Sequence, residues 1–284
     1  MSGNTRIRGW HFAPPAWPRL TSVLPRRAGT LPGGGVLRRL AGPALLLALW
    51  EAATALSGVD PELLPGPYDV ALAARELIGS GELFANLWVS LLRVAQGLVI
   101  GVTAGTVVAL AAGLQRGAGE VLDSTVQVLK AIPVFALLPL FIVWTGIGEA
   151  PKIALIAVTA ALPVYINVFS AIRDVDAELM DVARCLRLSR LSIVVDILLP
   201  ASASGFLSGL RIALTSAWLA LIFAETINAK AGLGHLMSDA QMAFRMDIIM
   251  LVVAIYAVLG LAGYGVVLTL ETVLLPWRRG FGGL

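Results

Sequence analysis

Six long apolar stretches run through this chain, over residues 40–56, 88–114, 121–144, 152–172, 203–225 and 248–271, and most charged residues lie between them. A helix rises about 1.5 Å per residue and a bilayer's hydrocarbon core is about 30 Å thick, so about 20 apolar residues make one crossing. The pattern predicts an all-α polytopic membrane protein with six transmembrane helices. The first stretch is short for a span and contains Glu51, a carboxylate that either snorkels, meets a neighbouring helix or has a functional role.

The stretches differ in kind. In the second, Gly97, Gly101, Gly105, Ala109 and Gly113 recur every fourth place. Such residues line one helix face and admit another backbone closely, at a subunit interface, in a pathway wall or in plain packing within one bundle. The third is interrupted by Pro133 and Pro139, with Lys130 just ahead. Irregular backbone at membrane depth is tolerated where protein or a water-filled cavity surrounds it, so this stretch either lines a pathway or is a kinked packing helix. Asn167, in the second half of the fourth, either faces a pathway or bonds a neighbouring helix.

The interval 173–200 is the longest charged one between two strongly apolar regions. Asp176 can cap a first short helix in which Leu179, Val182, Ala183 and Leu186 recur at helical spacing beside Glu178, Asp181, Arg184 and Arg187. Ser189 can cap a second, carrying Leu191, Val194, Val195, Leu198 and Leu199 and stopping at Pro200. An amphipathic pair held by spans on both sides suits docking of something outside the bilayer.

Residues 1–36 hold Pro14, Pro15, Pro18, Pro25 and Pro32, a triple glycine and five arginines, which predicts a disordered cytoplasmic tail ahead of a membrane domain over 37–279 and a short tail over 280–284. Paired arginines before an apolar run also fit a signal peptide. The length of the tail and the Trp50-Glu51 interruption favour a retained span. The interval 57–84 is acidic and carries the turn former Leu64-Pro65-Gly66-Pro67, as an extracytoplasmic segment would, and Trp277-Arg278-Arg279 fits an interfacial anchor. With both ends inside, the cytoplasmic segments hold fourteen Lys and Arg and the outer segments four, which supports that orientation.

Composition narrows the function classes. At 58% apolar and 14% charged residues, with mean hydropathy +0.85, the chain lies outside the soluble range. Its net charge of +3 comes from the arginine-rich beginning and reports on orientation more than on nucleic acid. The single cysteine, Cys185, excludes an intrachain disulfide and a cysteine metal cluster. The histidines are His11 and His235 alone, so neither a metal site nor the convergent set an enzyme needs is indicated. No G-x-x-x-x-G-K-[ST] stretch occurs, so the chain holds no ATP through a P-loop of its own.

The 173–200 interval resembles the ATPase-docking loop in the permease subunits of binding-protein-dependent ABC importers, whose motif reads EAA, three residues, Gly, nine residues, Ile, one residue, Leu-Pro. Here Asp181-Val182-Ala183 is followed by three residues, Arg187, nine residues, Ile197, Leu198 and Leu199-Pro200. The spacing fits, and Asp181, Val182 and Arg187 depart. Glycine in the Arg187 position would permit a positive φ, which arginine adopts only at a cost. Over residues 45–279 the chain is similar to the sulfonate, taurine and nitrate branch of these permeases. It matches at Trp50-Glu51, Leu92-Arg93-Val94, Ile132-Pro133, Gly146-Ile147-Gly148-Glu149, Ala217-Trp218, Ala224-Glu225 and Gly232-Leu233-Gly234.

The resemblance implies a cytoplasmic coupling-helix loop between spans 4 and 5, with Asp181, Val182, Ala183, Leu186, Arg187, Ile197, Leu199 and Pro200 meeting the ATPase. It implies a translocation pathway for a small, anionic solute, for which Lys130, Pro133, Phe135, Pro139, Trp144, Asn167, Trp218 and Glu225 are the candidates. Implied partners are a cytoplasmic ABC ATPase dimer that carries the ATP and Mg, a second permease copy, an extracytoplasmic solute-binding protein and the bilayer of the bacterial inner membrane. The rival class is a secondary transporter, which would repeat broken helices or carboxylates in two halves; no such repeat is evident.

Overall fold

A computed structural model describes residues 34–56, 58, 60, 63–114 and 116–275. The Trp277-Arg278-Arg279 anchor and the predicted tail, except for its last three residues, lie outside them. The chain divides into two compact units, Met1–Leu49 and Trp50–Leu284. Helix α1 (Gly34–Leu56) begins in the first, and its apolar part, Ala44–Leu56, is shorter than one crossing. In the second unit, Trp50 donates its indole N–H to the Pro65 carbonyl.

The acidic interval contains a helix that the apolar pattern does not reveal, α2 (Pro67–Gly79). Pro67 opens it with the φ it favours, Asp69 accepts the Gly66 N–H, and Val70, Ala73 and Leu77 fall on one buried face. Helix α3 (Glu82–Leu114) follows, then α4 (Arg116–Ala131), a 3-10 turn (Val134–Leu137) and α5 (Leu138–Thr145). The predicted third span is therefore two helical arms, 121–131 and 134–145, bent by 88° at Pro133. A proline lacks the N–H that the ladder needs and disfavours helical geometry in the residue before it.

Helix α6 (Ala150–Arg173) leads into α7 (Ala177–Cys185), α8 (Arg190–Ser192), a π-helical segment (Ile193–Leu198), α9 (Leu199–Asn228), α10 (Leu233–Met242) and α11 (Met246–Leu274). Among the described residues, four helices are long and apolar enough to cross a membrane, or five if the bent pair counts as one. The second short helix of the 173–200 interval, which its pattern predicts to stop at Pro200, does not stop there. It runs on through the π segment into α9, where the Leu199 N–H reaches the Val194 carbonyl, so the wider turn carries the chain past a residue with no N–H.

The core is built on α3, α6 and α9. The four-residue ladder of α3 faces α6: a Cβ on Gly101 would lie 2.2 Å from the Ala157 carbonyl oxygen, and one on Gly105 would lie 2.5 Å from that of Ala161. Ala109, the next step of the ladder, is fully buried, and Gly97 and Gly113 meet the side chains of Ile156 and Ile172. From its other side α6 receives Gly205 of α9, whose added Cβ would lie 2.4 Å from the Asn167 oxygen. Backbone contact this close replaces side-chain volume with dispersion between main chains, which is how helices associate where no hydrophobic driving force separates them from lipid.

Candidate functional site

Two features stand apart from ordinary helix packing, one at each end of α9. At its start, Asp176 accepts the Glu178 N–H and Ser189 accepts the Ser192 N–H, so each of the two short helices has the cap its sequence predicts. Between them Arg187 takes φ +50°, the left-handed conformation that the motif's glycine would supply. Ala183 is buried, while Leu179 and Val182 on α7 and Leu186 just past its end lie 47%, 54% and 67% exposed. Leu191, Val195 and Leu199, four residues apart, repeat that exposure on the second helix, and Asp181 and Pro200 are exposed with them. Two apolar stripes thus stand uncovered on a charged loop, with Ile197 half-buried behind them.

At the other end of α9 a polar cluster closes the bundle. The Glu225 side chain is fully buried, and its carboxylate accepts hydrogen bonds from Ser90 Oγ, Arg93 Nη1 (2.7 Å) and the Gly234 N–H (2.8 Å). The Arg93 guanidinium, 5% exposed, also donates to the Ala231 carbonyl and to both oxygens of Glu149. Lys152, buried at the first turn of α6, adds a second cation to Glu149 at 3.0 Å. Asn86 and Ser90 accept the N–H groups of Gly232 and Leu233. Gly232 sits at φ +125°, where only glycine fits comfortably, and its added Cβ would lie 2.4 Å from Glu225 Oε1.

Two carboxylates face two cations, and both Glu225 oxygens accept hydrogen bonds, which offsets the cost of burying polar groups away from water. Glu149 is 56% exposed. Hydrogen bonding from the Arg93 guanidinium, aided by Lys152 and opposed by partial burial, holds its carboxyl at about 2, below the usual carboxylate range.

The predicted pathway residues separate into two groups. Lys130, Pro133, Phe135, Pro139 and Trp144 lie exposed along the bent pair, with Phe135 stacked on Phe223 of α9 at 4.3 Å. Asn167 is half-buried and donates to the Pro163 carbonyl one turn back. Trp218 is buried against Tyr256, and Glu225 is inside the cluster. The sequence pattern gave Arg93 only as part of the matched Leu92-Arg93-Val94 segment and did not single out Ser90, Asn86 or Lys152. The signal available was physical: a charge inside an apolar span requires a partner, and the matched segments around Arg93, Glu149, Glu225 and Gly232 supply all of them.

Comparison with known proteins identifies the family. The family model described as binding-protein-dependent transport system inner membrane component matches residues 97–280. The putative aliphatic sulfonates transport permease protein SsuC of Bacillus subtilis (strain 168) is 37% identical over 249 residues, covering 88% of this chain and 90% of its own length. SsuC of Escherichia coli (strain K12) is 35% identical, covering 84% of this chain and 91% of its own length, and the taurine transport system permease protein TauC of the same strain is 30% identical, covering 83% and 87%. In fold, the crystal structure of an amino acid ABC transporter aligns over 70% of this chain and 97% of its own, with TM-score 0.57 at 16% identity. The chain therefore belongs to the binding-protein-dependent transport system inner membrane component family, the permease subunits of ABC importers.

Proposed function

We propose that this permease carries a small organic anion of the aliphatic sulfonate class across the bacterial cytoplasmic membrane, driven by a separate ATPase that docks on residues 173–200. The observation that carries the reading is the pair of uncovered apolar stripes on that loop, Leu179, Val182 and Leu186 beside Leu191, Val195 and Leu199. Apolar surface on a charged segment outside the spans is stabilised by a protein partner, and the loop continues without a break into α9.

In this reading six spans, with α1 as the first and the bent pair as the third, place both termini and the docking loop in the cytoplasm. Two copies of the chain enclose the pathway along the bent pair and α9. ATP and Mg stay on the ATPase, and a solute-binding protein delivers the anion to the outer face. Closure of the ATPase dimer moves the loops and alternates access. The names of the SsuC relatives support the sulfonate class.

The test is purification of the tagged chain from its native membrane with mass spectrometry of what accompanies it, and uptake of labelled ethanesulfonate by the same cells. Co-purification of a P-loop ATPase and saturable, ATP-dependent uptake are expected. Absence of any ATPase under conditions that preserve other ABC complexes refutes the importer reading, and uptake that follows a proton gradient instead of ATP supports a secondary transporter.

A further inference from the structure

Two arginines lie well inside the long helices, and their circumstances differ. Arg93 is 5% exposed and is saturated by two carboxylates and a carbonyl. Arg211, on α9, is 38% exposed and has one carboxylate partner, Glu271 of α11, at 2.6 Å. Its guanidinium lies over the Tyr264 ring at 5.3 Å, and its Nε–H is buried without a hydrogen-bond partner. Glu271 lies in the last turn of α11, so the pair sits toward one end of the spans, where a charge that is partly exposed and incompletely bonded faces water or a passing ligand more cheaply than lipid.

The helix around it is polar in the same direction. Ser204, Ser208, Arg211 and Thr215 follow at intervals of four, three and four residues, which puts them on one face of α9. Ser204 and Ser208 are half-buried and Thr215 is exposed. The Ser208 and Thr215 hydroxyls donate to carbonyls one turn back, which leaves them stable in a dry environment and free to rotate toward an anion. An arginine among hydroxyls is a surface for an oxyanion, since guanidinium N–H groups match two oxygens of such a group.

We propose that Arg211 is the residue that receives the transported anion within the membrane, along the Ser204, Ser208 and Thr215 face of α9, with Glu271 as its resident counter-ion. The inference rests on the importer reading above. Glu271 keeps the empty site neutral and tempers its grip, and an anion must be held weakly enough to leave again. Arg93, each of whose three nitrogens already donates to a protein acceptor, takes no part in this contact.

The experiment is uptake of labelled ethanesulfonate into cells carrying the chain with its own ATPase and binding protein, for wild type, Arg211→Lys, Arg211→Gln and the Arg211→Gln/Glu271→Gln double variant. Assembly with the ATPase and co-purifying phosphatidylglycerol are measured on the same preparations. The expected result for Arg211→Gln is a fall of about tenfold or more in maximal rate with unchanged half-saturation, because capture belongs to the binding protein while passage belongs to this contact. Arg211→Lys keeps about a third or more of the rate, since the charge persists on a flexible stem. The double variant, which restores neutrality, assembles and remains slow. Recovery of uptake in the double variant would show that the pair only stabilises the fold and would overturn the proposal. So would uptake by Arg211→Gln within about twofold of wild type, including the case where it merely loses bound phosphatidylglycerol. No anion uptake by wild type refutes the sulfonate reading itself, and this inference with it.

Discussion

Replacing Glu225 by glutamine is the most informative perturbation of the polar cluster. The carboxylate is fully buried and accepts from Ser90, Arg93 and the Gly234 N–H. Glutamine keeps one acceptor and turns an NH2 group toward donors, leaving the Arg93 charge with Glu149 alone. Breaking a buried ion pair by removing one partner costs about 3–5 kcal/mol. Glu149→Gln removes a carboxylate that is 56% exposed, while buried Arg93 keeps Glu225 and the amide oxygen still accepts from Arg93 or Lys152, so the loss falls toward the roughly 1 kcal/mol of solvent-exposed pairs. Unfolding of the purified chain in mixed micelles should therefore place Glu225→Gln roughly 2 kcal/mol or more below Glu149→Gln. The two share a guanidinium, so errors in the reference state largely cancel. Equal stabilities would refute the assignment of Glu225 as the buried strut. The same pair gives a pH test: the Glu149 carboxyl is lowered from 4.5 to about 2 in the folded chain, so its contribution is complete above about 4.5 and is lost as the pH falls toward 2. The stability difference between wild type and Glu149→Gln should close over that interval, and a difference that grows on acidification contradicts the geometry.

Gly101→Ala should destabilise the bundle by about 1–3 kcal/mol or more, since its Cβ would meet the Ala157 carbonyl oxygen at 2.2 Å, whereas Gly260→Ala, with nothing within 4 Å, should be neutral or stabilising by up to about 1 kcal/mol. The same unfolding assay compares them, and equal effects would show that α3 and α6 are not in backbone contact. Arg187→Gly should stabilise the turn between the docking helices by up to about 1 kcal/mol, because φ +50° costs arginine what it does not cost glycine. Slower amide exchange at Leu186 and Leu188, whose N–H groups bond Val182 and Ala183, checks it; faster exchange refutes it.

Much of the fold was legible where one residue's neighbours in sequence decide its state. Hydropathy located the long helices, Asp176 and Ser189 marked two starts, and Pro133 marked the break between α4 and α5. The positive φ at Arg187 falls where the motif has glycine, although an arginine there gives no sign of it. Helix α2 was not, since its buried face comprises three residues in an acidic interval. The continuation through Pro200 was missed because a π turn leaves no compositional mark. The polar cluster was hardest: Ser90 and Glu225 are 135 positions apart, and no local pattern pairs them. Only the demand that every charge in a span find a partner points there.

The run from Arg190 to Asn228 has a mechanical consequence. Its apolar part alone, 35 residues from Ile193 to Ile227, forms one helix without a sharp bend, roughly 52 Å long against a hydrocarbon layer of about 30 Å. A rod so much longer than the layer it crosses works as an oar through a rowlock. Held between the glycines that meet α6, a tilt of about 5° about its middle sweeps each tip through roughly 2 Å in opposite senses. The stroke at the uncovered Leu191, Val195 and Leu199 stripe and the stroke at the Glu225 cluster are then a single motion, with no joint between them in which force could be lost.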